Sequence, residues 1–279
     1  MRTLYVTDLD GTLMRSDMTI SEESVRIFNR LIDRGVLITY ATARSFHSAY
    51  TITKEIGFKL PVITRNGTTF ADQISVKETE TSFFSMEILK ELKNLLPIIS
   101  SCGFTSKYID GEMYKMYQDG VKSAEFQGYI DYYHSIGDTR MRMVDDIEKQ
   151  FEGDISYITL ISTREELLPY YEAVKESKRW ETVFQKDTYR AEYWLEICPK
   201  DATKAKAILK LKERLKCERL VVFGDSINDL PMFDVADEAI GVSNARPEIL
   251  SAADHIIGSN ENDAVAKYIQ GVEIGNLEN

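Results

Sequence analysis

The stretch over 3–13, Thr-Leu-Tyr-Val-Thr-Asp-Leu-Asp-Gly-Thr-Leu, constrains this chain more than any other. Leu4, Tyr5 and Val6 form an apolar run without polar alternation and too short for a helix, which reads as a buried strand. The run delivers two carboxylates, Asp8 and Asp10, into a turn begun by Gly11. Alternation along extended backbone points both the same way from the strand's end. Two like charges placed together there cost stability unless a cation or ligand compensates them. Such a strand end reads as a site rather than a scaffold.

The rhythm that follows is strand, helix, strand, helix, strand. A helix is expected over 21–34, with Ser21 as N-cap, Glu22 and Glu23 at its positive end and Gly35 as its stop. Strands are expected over 36–40 and 61–64, with a helix capped by Ser45 between them. This spacing implies right-handed crossovers and a parallel sheet. Each strand ends in polar or turn residues (Asp8, Thr42, Asn66), on the edge where open α/β sheets bind ligands.

After Asp72 the pattern changes to an α+β block rich in hairpins. Asp110-Gly111 between two strand-like runs is a hairpin signal, and the Tyr-rich stretch 118–136 takes no clear assignment. The βα rhythm returns at Asp201, expected to cap a helix carrying Lys204, followed by a strand over 220–223 that runs into Gly224-Asp225-Ser226-Ile227-Asn228-Asp229. The expected organisation is a core of 1–82 and 191–279, with 83–190 inserted.

At 279 residues the chain can bury a sizeable core. Its net charge of −11 argues against non-specific nucleic-acid binding, which needs clustered Lys and Arg. The three cysteines, Cys102, Cys198 and Cys217, stand in no ligand spacing and read as buried thiols of a reducing compartment. No apolar run approaches membrane-spanning length, and the N-terminus enters the first strand without a signal-peptide core. The expectation is a cytoplasmic enzyme with no nucleic-acid, membrane or obligatory protein partner.

With Asp8-Leu9-Asp10-Gly11-Thr12, Thr42, Lys204 and the Gly224–Asp229 run in this order, the chain resembles the haloacid dehalogenase-like (HAD) hydrolases. More narrowly it is similar to their Cof-type phosphatase branch (type IIB, C2 cap), in which a large α/β cap is inserted between the second and third motifs. Arg65-Asn66-Gly67, Asn244-Ala245 and Ala253-Asp254 support that branch. The resemblance implies a Rossmann-like α/β core, its parallel sheet flanked by helices, and an inserted α+β cap that reads the substrate.

It also implies chemistry. Asp8 becomes the nucleophile that forms an aspartyl-phosphate, and Asp10 the acid/base for the leaving oxygen and the attacking water. Mg²⁺ is the implied cofactor, with Asp8, the backbone carbonyl of Asp10 and Asp225 as protein ligands supported by Asn228 and Asp229. Thr42, Ala43, Asn66, Asn228 and Lys204 fall to phosphate or substrate, Lys204 also neutralising the nucleophile. Ala43 and Ala264 stand where the family often has Gly. Bland readings exist beside these: Asp10 as a turn residue, Asp229 as a helix cap, Thr42 as a helix entry, Lys204 as a solvated lysine. Arg44 and Arg65 read as structural or surface charges. His47, His134 and His255 show no zinc spacing, and the Tyr residues of the insertion read as packing.

The function implied is hydrolysis of a small phosphorylated metabolite, a sugar phosphate first. The alternatives are a sugar phosphomutase or phosphotransferase on the same fold, and a catalytically silent ligand-binding module.

Overall fold

A computed structural model describes residues 1–277 and divides the chain into two compact units, Met1–Thr81 with Thr203–Asn279, and Ser82–Ala202.

The first unit is built on a parallel sheet. In spatial order its strands are His255–Ile257, Glu238–Val242, Arg219–Gly224, Thr3–Thr7 and Leu37–Tyr40. Thr3–Thr7 pairs in parallel with Arg219–Gly224 on one side and Leu37–Tyr40 on the other. Chain order therefore reverses at this central strand, the switch point at which open α/β sheets form ligand crevices. A parallel bridge from Ala41 to Ile63 carries the sheet on to Val62–Thr64, which opens an antiparallel meander with Thr69–Asp72 and Lys77–Thr81.

Burial explains the apolar runs. Leu4, Val6, Leu220, Val222 and Phe223 are inaccessible to solvent, as parallel strands covered on both faces should be. The Glu22–Asp33 helix buries Ile27, Phe28, Leu31 and Ile32, and Ser21 accepts the Ser24 N–H as its cap. The Lys204–Arg214 helix is capped by Thr203, which accepts from Lys206 N–H, rather than by Asp201. Asp201 instead has φ 73°, a left-handed turn just before the helix.

The second unit carries a six-stranded sheet in the order Trp180–Lys186, Tyr193–Pro199, Asp154–Ser162, Gly103–Ile109, Glu112–Gln118, Met141–Val144. All its pairings are antiparallel except the last. The expected hairpin at Asp110-Gly111 is present, both residues with positive φ, as a two-residue turn between twisted strands requires. The stretch 118–136 contains the helix Ala124–Ser135, which buries Phe126, Ile130 and Tyr133 at helical spacing. Its aromatic, strand-favouring composition hid that spacing. One boundary needs correction: the return to the first unit falls at Thr203, not at 191. Tyr193–Pro199 spends its ladder hydrogen bonds on Trp180–Lys186 and Asp154–Ser162, which ties it to the second sheet.

Candidate active site

Four strands of the first unit end in the residues that the sequence singled out: Thr7 before Asp8, Tyr40 shortly before Thr42, Thr64 before Asn66, and Gly224 before Asp225. Parallel strands put all these ends on one edge of the sheet.

After Thr7 the chain makes one irregular turn over Leu9–Leu13, closed by Met14 N–H donating to the Leu9 carbonyl at 2.8 Å. Asp10 is extended within it (φ −71°, ψ 116°) and Gly11 has φ 77°. Gly11 is needed twice over, because a Cβ there would also lie 2.5 Å from Asp225 Oδ2. Asn244 Nδ2 donates to the Gly11 carbonyl at 2.7 Å, and Asn244 Oδ1 accepts from Asn260 N–H at 3.0 Å. Asn260 in turn donates to the Met14 carbonyl at 2.8 Å, so the middle of the turn and the residue that follows it are tied to the C-terminal part of the chain.

At the centre lies Lys204, 2 % exposed. Its Nζ donates to Asp8 Oδ1 at 2.6 Å and to Asp229 Oδ1 at 2.7 Å. Asp229 Oδ2 accepts the backbone N–H groups of Asp225 and Ser226, both at 3.0 Å. Asp229 is therefore occupied on both oxygens, by an ammonium and by its own loop. Asp225 Oδ1 accepts the Thr12 hydroxyl at 2.9 Å. Gly67, with φ 101°, lets the chain after Asn66 pass against the N-terminus of the Lys204 helix, where a Cβ would overlap the Thr203 carbonyl.

Asp8, Asp225 and Asp229 bring carboxylate oxygens within 4.8 Å of one another. When all three carboxylates are ionised, they outnumber the one ammonium of Lys204 by two charges in a buried place. The electrostatics follow. Burial pushes the Asp8 carboxyl well above the usual range, Lys204 pulls it down, and Asp229, Asp225 and Asp10 add to the rise. Burial, then the charge of Asp229, push Asp225 up to about 7 against the opposing Thr12 hydrogen bond and Lys204. Burial disfavours the Lys204 charge, but Asp229 and Asp8 outweigh it and hold the ammonium above its ordinary range.

The other expected residues lie around this cluster. Asn228 Nδ2 donates to Asn66 Oδ1 at 3.2 Å, joining two strand ends. Asn66 and the preceding Arg65 both have left-handed backbones (φ 52° and 50°), a costly conformation for such residues that recurs at functional sites. Thr42 is buried; its Oγ1 accepts the Arg44 N–H at 3.1 Å, and its carbonyl accepts Asn66 N–H at 2.9 Å. A hydroxyl that accepts one bond still has its own O–H to give. Ala43 is half-buried between them.

Two expectations change. Alternation points Asp8 and Asp10 the same way, but the strand ends at Thr7 and the turn gives them different partners, Lys204 for Asp8 and Arg44 for Asp10. Arg44, read from sequence as a structural or surface charge, thus makes the direct contact to Asp10. Thr12, Gly67, Asn244 and Asn260 gain definite roles here as well. For Arg44 the available signal was position: a cation two residues beyond the motif threonine, at the end of a neighbouring buried strand.

Residues 5–269 match the family model described as haloacid dehalogenase-like hydrolase. The chain belongs to the haloacid dehalogenase-like hydrolases. This HAD-like chain is 25 % identical to the 5-amino-6-(5-phospho-D-ribitylamino)uracil phosphatase YwtE of Bacillus subtilis, in an alignment covering 94 % of this chain and 95 % of that protein. It is 24 % identical to the HMP-PP phosphatase of Serratia proteamaculans, over 97 % of this chain and 95 % of the relative. Among solved structures, the HAD subclass IIB sugar phosphatase BT4131 superposes with a TM-score of 0.74 at 17 % identity, over 98 % of this chain and all of that one. The fold is thus that of the HAD hydrolases along its length, and both of these relatives, matched nearly end to end, are named phosphatases.

Proposed function

We propose that this chain is a Mg²⁺-dependent phosphatase acting on the phosphate monoester of a small metabolite, through an aspartyl-phosphate on Asp8. The observation that carries this reading is Asp8 itself: a buried carboxylate, held on one oxygen by the Lys204 ammonium and crowded by further carboxylates.

The donor set fits the cation. Asp8 and Asp225 offer hard carboxylate oxygens, the backbone carbonyl of Asp10 lies on the same turn, and the cluster's excess negative charge favours a divalent ion. These three groups would hold Mg²⁺, which supplies compensating charge for an anionic phosphate approaching an anionic nucleophile.

In the first step an Asp8 oxygen bonds to phosphorus and the bond to the leaving oxygen breaks, while Asp10 gives that oxygen a proton. In the second, water bonds to phosphorus and passes a proton to the Asp10 carboxylate. The Asp8–phosphorus bond breaks, and inorganic phosphate leaves. Lys204 stabilises the carboxylate before attack and the charge that gathers on the transferring group. Thr42, Ala43, Asn66 and Asn228 would orient phosphate and substrate. The second unit would serve as the specificity cap, with a sugar phosphate as first choice and phosphorylated cofactors and their precursors behind it.

The test is phosphate release from a panel of phosphorylated metabolites with Mg²⁺ and with EDTA, beside Asp8→Asn. Metal-dependent turnover that vanishes in Asp8→Asn supports the reading. A well-folded protein that releases phosphate from nothing on the panel overturns it.

A further inference from the structure

The two motif carboxylates are held by different cations. Asp8 is bound by Lys204, whereas Asp10 lies in the fork of Arg44: Nε donates to Oδ1 at 3.1 Å and to Oδ2 at 2.8 Å, and Nη2 donates to Oδ1 at 2.6 Å. The guanidinium is braced in its turn. Nη1 donates to Ser48 Oγ at 3.1 Å, one turn along the Phe46–Thr53 helix, and the Arg44 backbone N–H donates to Thr42 Oγ1 at 3.1 Å. Both partners of the fork keep about a fifth of their side-chain surface, 20 % and 21 %, so a ligand entering the site could reach them. Asp10 is close enough to act electrostatically on Asp8 and Asp225, but its carboxylate is not one of the three whose oxygens lie within 4.8 Å of one another.

We propose that Arg44 is a positioning residue for Asp10: its fork, braced by Ser48, sets the direction of the Asp10 carboxylate and keeps it clear of the cation-binding cluster. This rests on the phosphatase reading above. Two parallel N–H groups on one carboxylate fix its rotation as well as its place, which a lysine at the same position cannot do. The need for such a device follows from the site itself. A carboxylate so near the cluster is a ready additional ligand for a hard divalent ion, and an Asp10 drawn to that ion would lose its path to the leaving oxygen. Arg44 therefore separates two carboxylates of one short turn into two tasks.

The experiment compares wild type with Arg44→Ala, Arg44→Lys and Ser48→Ala on two esters. One is p-nitrophenyl phosphate, whose leaving group departs without a proton; the other is the alkyl monoester that ranks first on the metabolite panel. A positioned acid contributes about 10²–10⁴ in rate where the leaving group needs a proton. The kcat of Arg44→Ala and of Arg44→Lys is expected to fall at least about tenfold further on the alkyl ester than on p-nitrophenyl phosphate. Ser48→Ala shifts the same ratio in the same direction by less, and added methylguanidinium restores part of the alkyl-ester rate of Arg44→Ala. Equal losses on both esters, or a loss confined to KM, would make Arg44 a phosphate-binding or purely structural residue and overturn the proposal. Wild type inactive on both esters would overturn the phosphatase reading itself, a result distinct from either. Arg44→Lys and Ser48→Ala keep the test open if Arg44→Ala does not fold.

Discussion

Lys204 Nζ lies 2.6 Å from Asp8 Oδ1, across 196 positions of sequence, and both side chains are almost wholly buried. The same ammonium reaches Asp229 at 2.7 Å. Removing it leaves three crowded carboxylates without the ammonium that bonds to Asp8 and Asp229. Lys204→Met is therefore expected to reduce phosphate release by more than about a hundredfold, in line with loss of a stabilising charge at the reacting group. It should also destabilise the fold by about 3–5 kcal/mol, the usual cost of stripping one partner from a buried pair. Urea denaturation beside steady-state assays checks both, and unchanged stability would mean that the pair is not buried as described.

The raised carboxylates give stability a definite pH dependence. An acid whose pKa is raised by folding binds its proton more tightly folded than unfolded, so its contribution is complete below the unfolded value and is lost as pH rises through the folded one. For Asp225 that window runs from 3.8 to about 7, and Asp8 acts in the same direction. The melting temperature of EDTA-treated protein should therefore fall as pH rises through this window. Mg²⁺ should restore it, by more at about pH 8 than at about pH 5, because protons and metal compete for the same oxygens. A melting temperature indifferent to Mg²⁺ at both pH values would argue against a cation at this cluster.

Gly67 faces the start of the helix that carries Lys204. Gly67→Ala would strain a backbone at φ 101° and drive a methyl group into the Thr203 carbonyl. The cost should be about 1–3 kcal/mol for the backbone alone. Because the helix must shift to relieve the overlap, kcat should drop at least about tenfold, since small misplacements of site groups are costly. Calorimetry with kinetics would show it; wild-type kcat in a stable Gly67→Ala protein would refute the linkage.

Asn244 ties the Leu9–Leu13 turn to Asn260 by two part-buried hydrogen bonds from an exposed residue. Asn244→Ala should cost little stability, about 1 kcal/mol, given the net worth of such bonds near solvent. Its larger effect should fall on kcat, through a looser turn. A stability loss with kcat untouched would assign Asn244 a structural role only.

Much of this site was legible in the sequence because its parts are local. The apolar strand before Asp8, the Gly11 turn and the Gly224–Asp229 run each carry their own chemistry within a few residues. The first unit's strands also read clearly, since buried parallel strands leave continuous apolar runs. The helix Ala124–Ser135 was obscured by tyrosines that favour strands, until Phe126, Ile130 and Tyr133 were found packed on one side. The true boundary at Thr203 depended on which strands Tyr193–Pro199 pairs with, which is a long-range choice.

The sequence by itself determined the order of elements, the parallel sheet and the set of residues gathered at its strand ends, because hydrophobic period and turn chemistry act over short distances. Only the tertiary structure decided how charges are shared there. The resemblance implied that Lys204 faces Asp8, but nothing in the spacing says that it also takes Asp229 while Arg44 takes Asp10. That partition depends on where the Leu9–Leu13 turn aims each carboxylate and on how closely Gly67 lets the Lys204 helix approach, and in a buried site such geometry decides which charge is compensated by which.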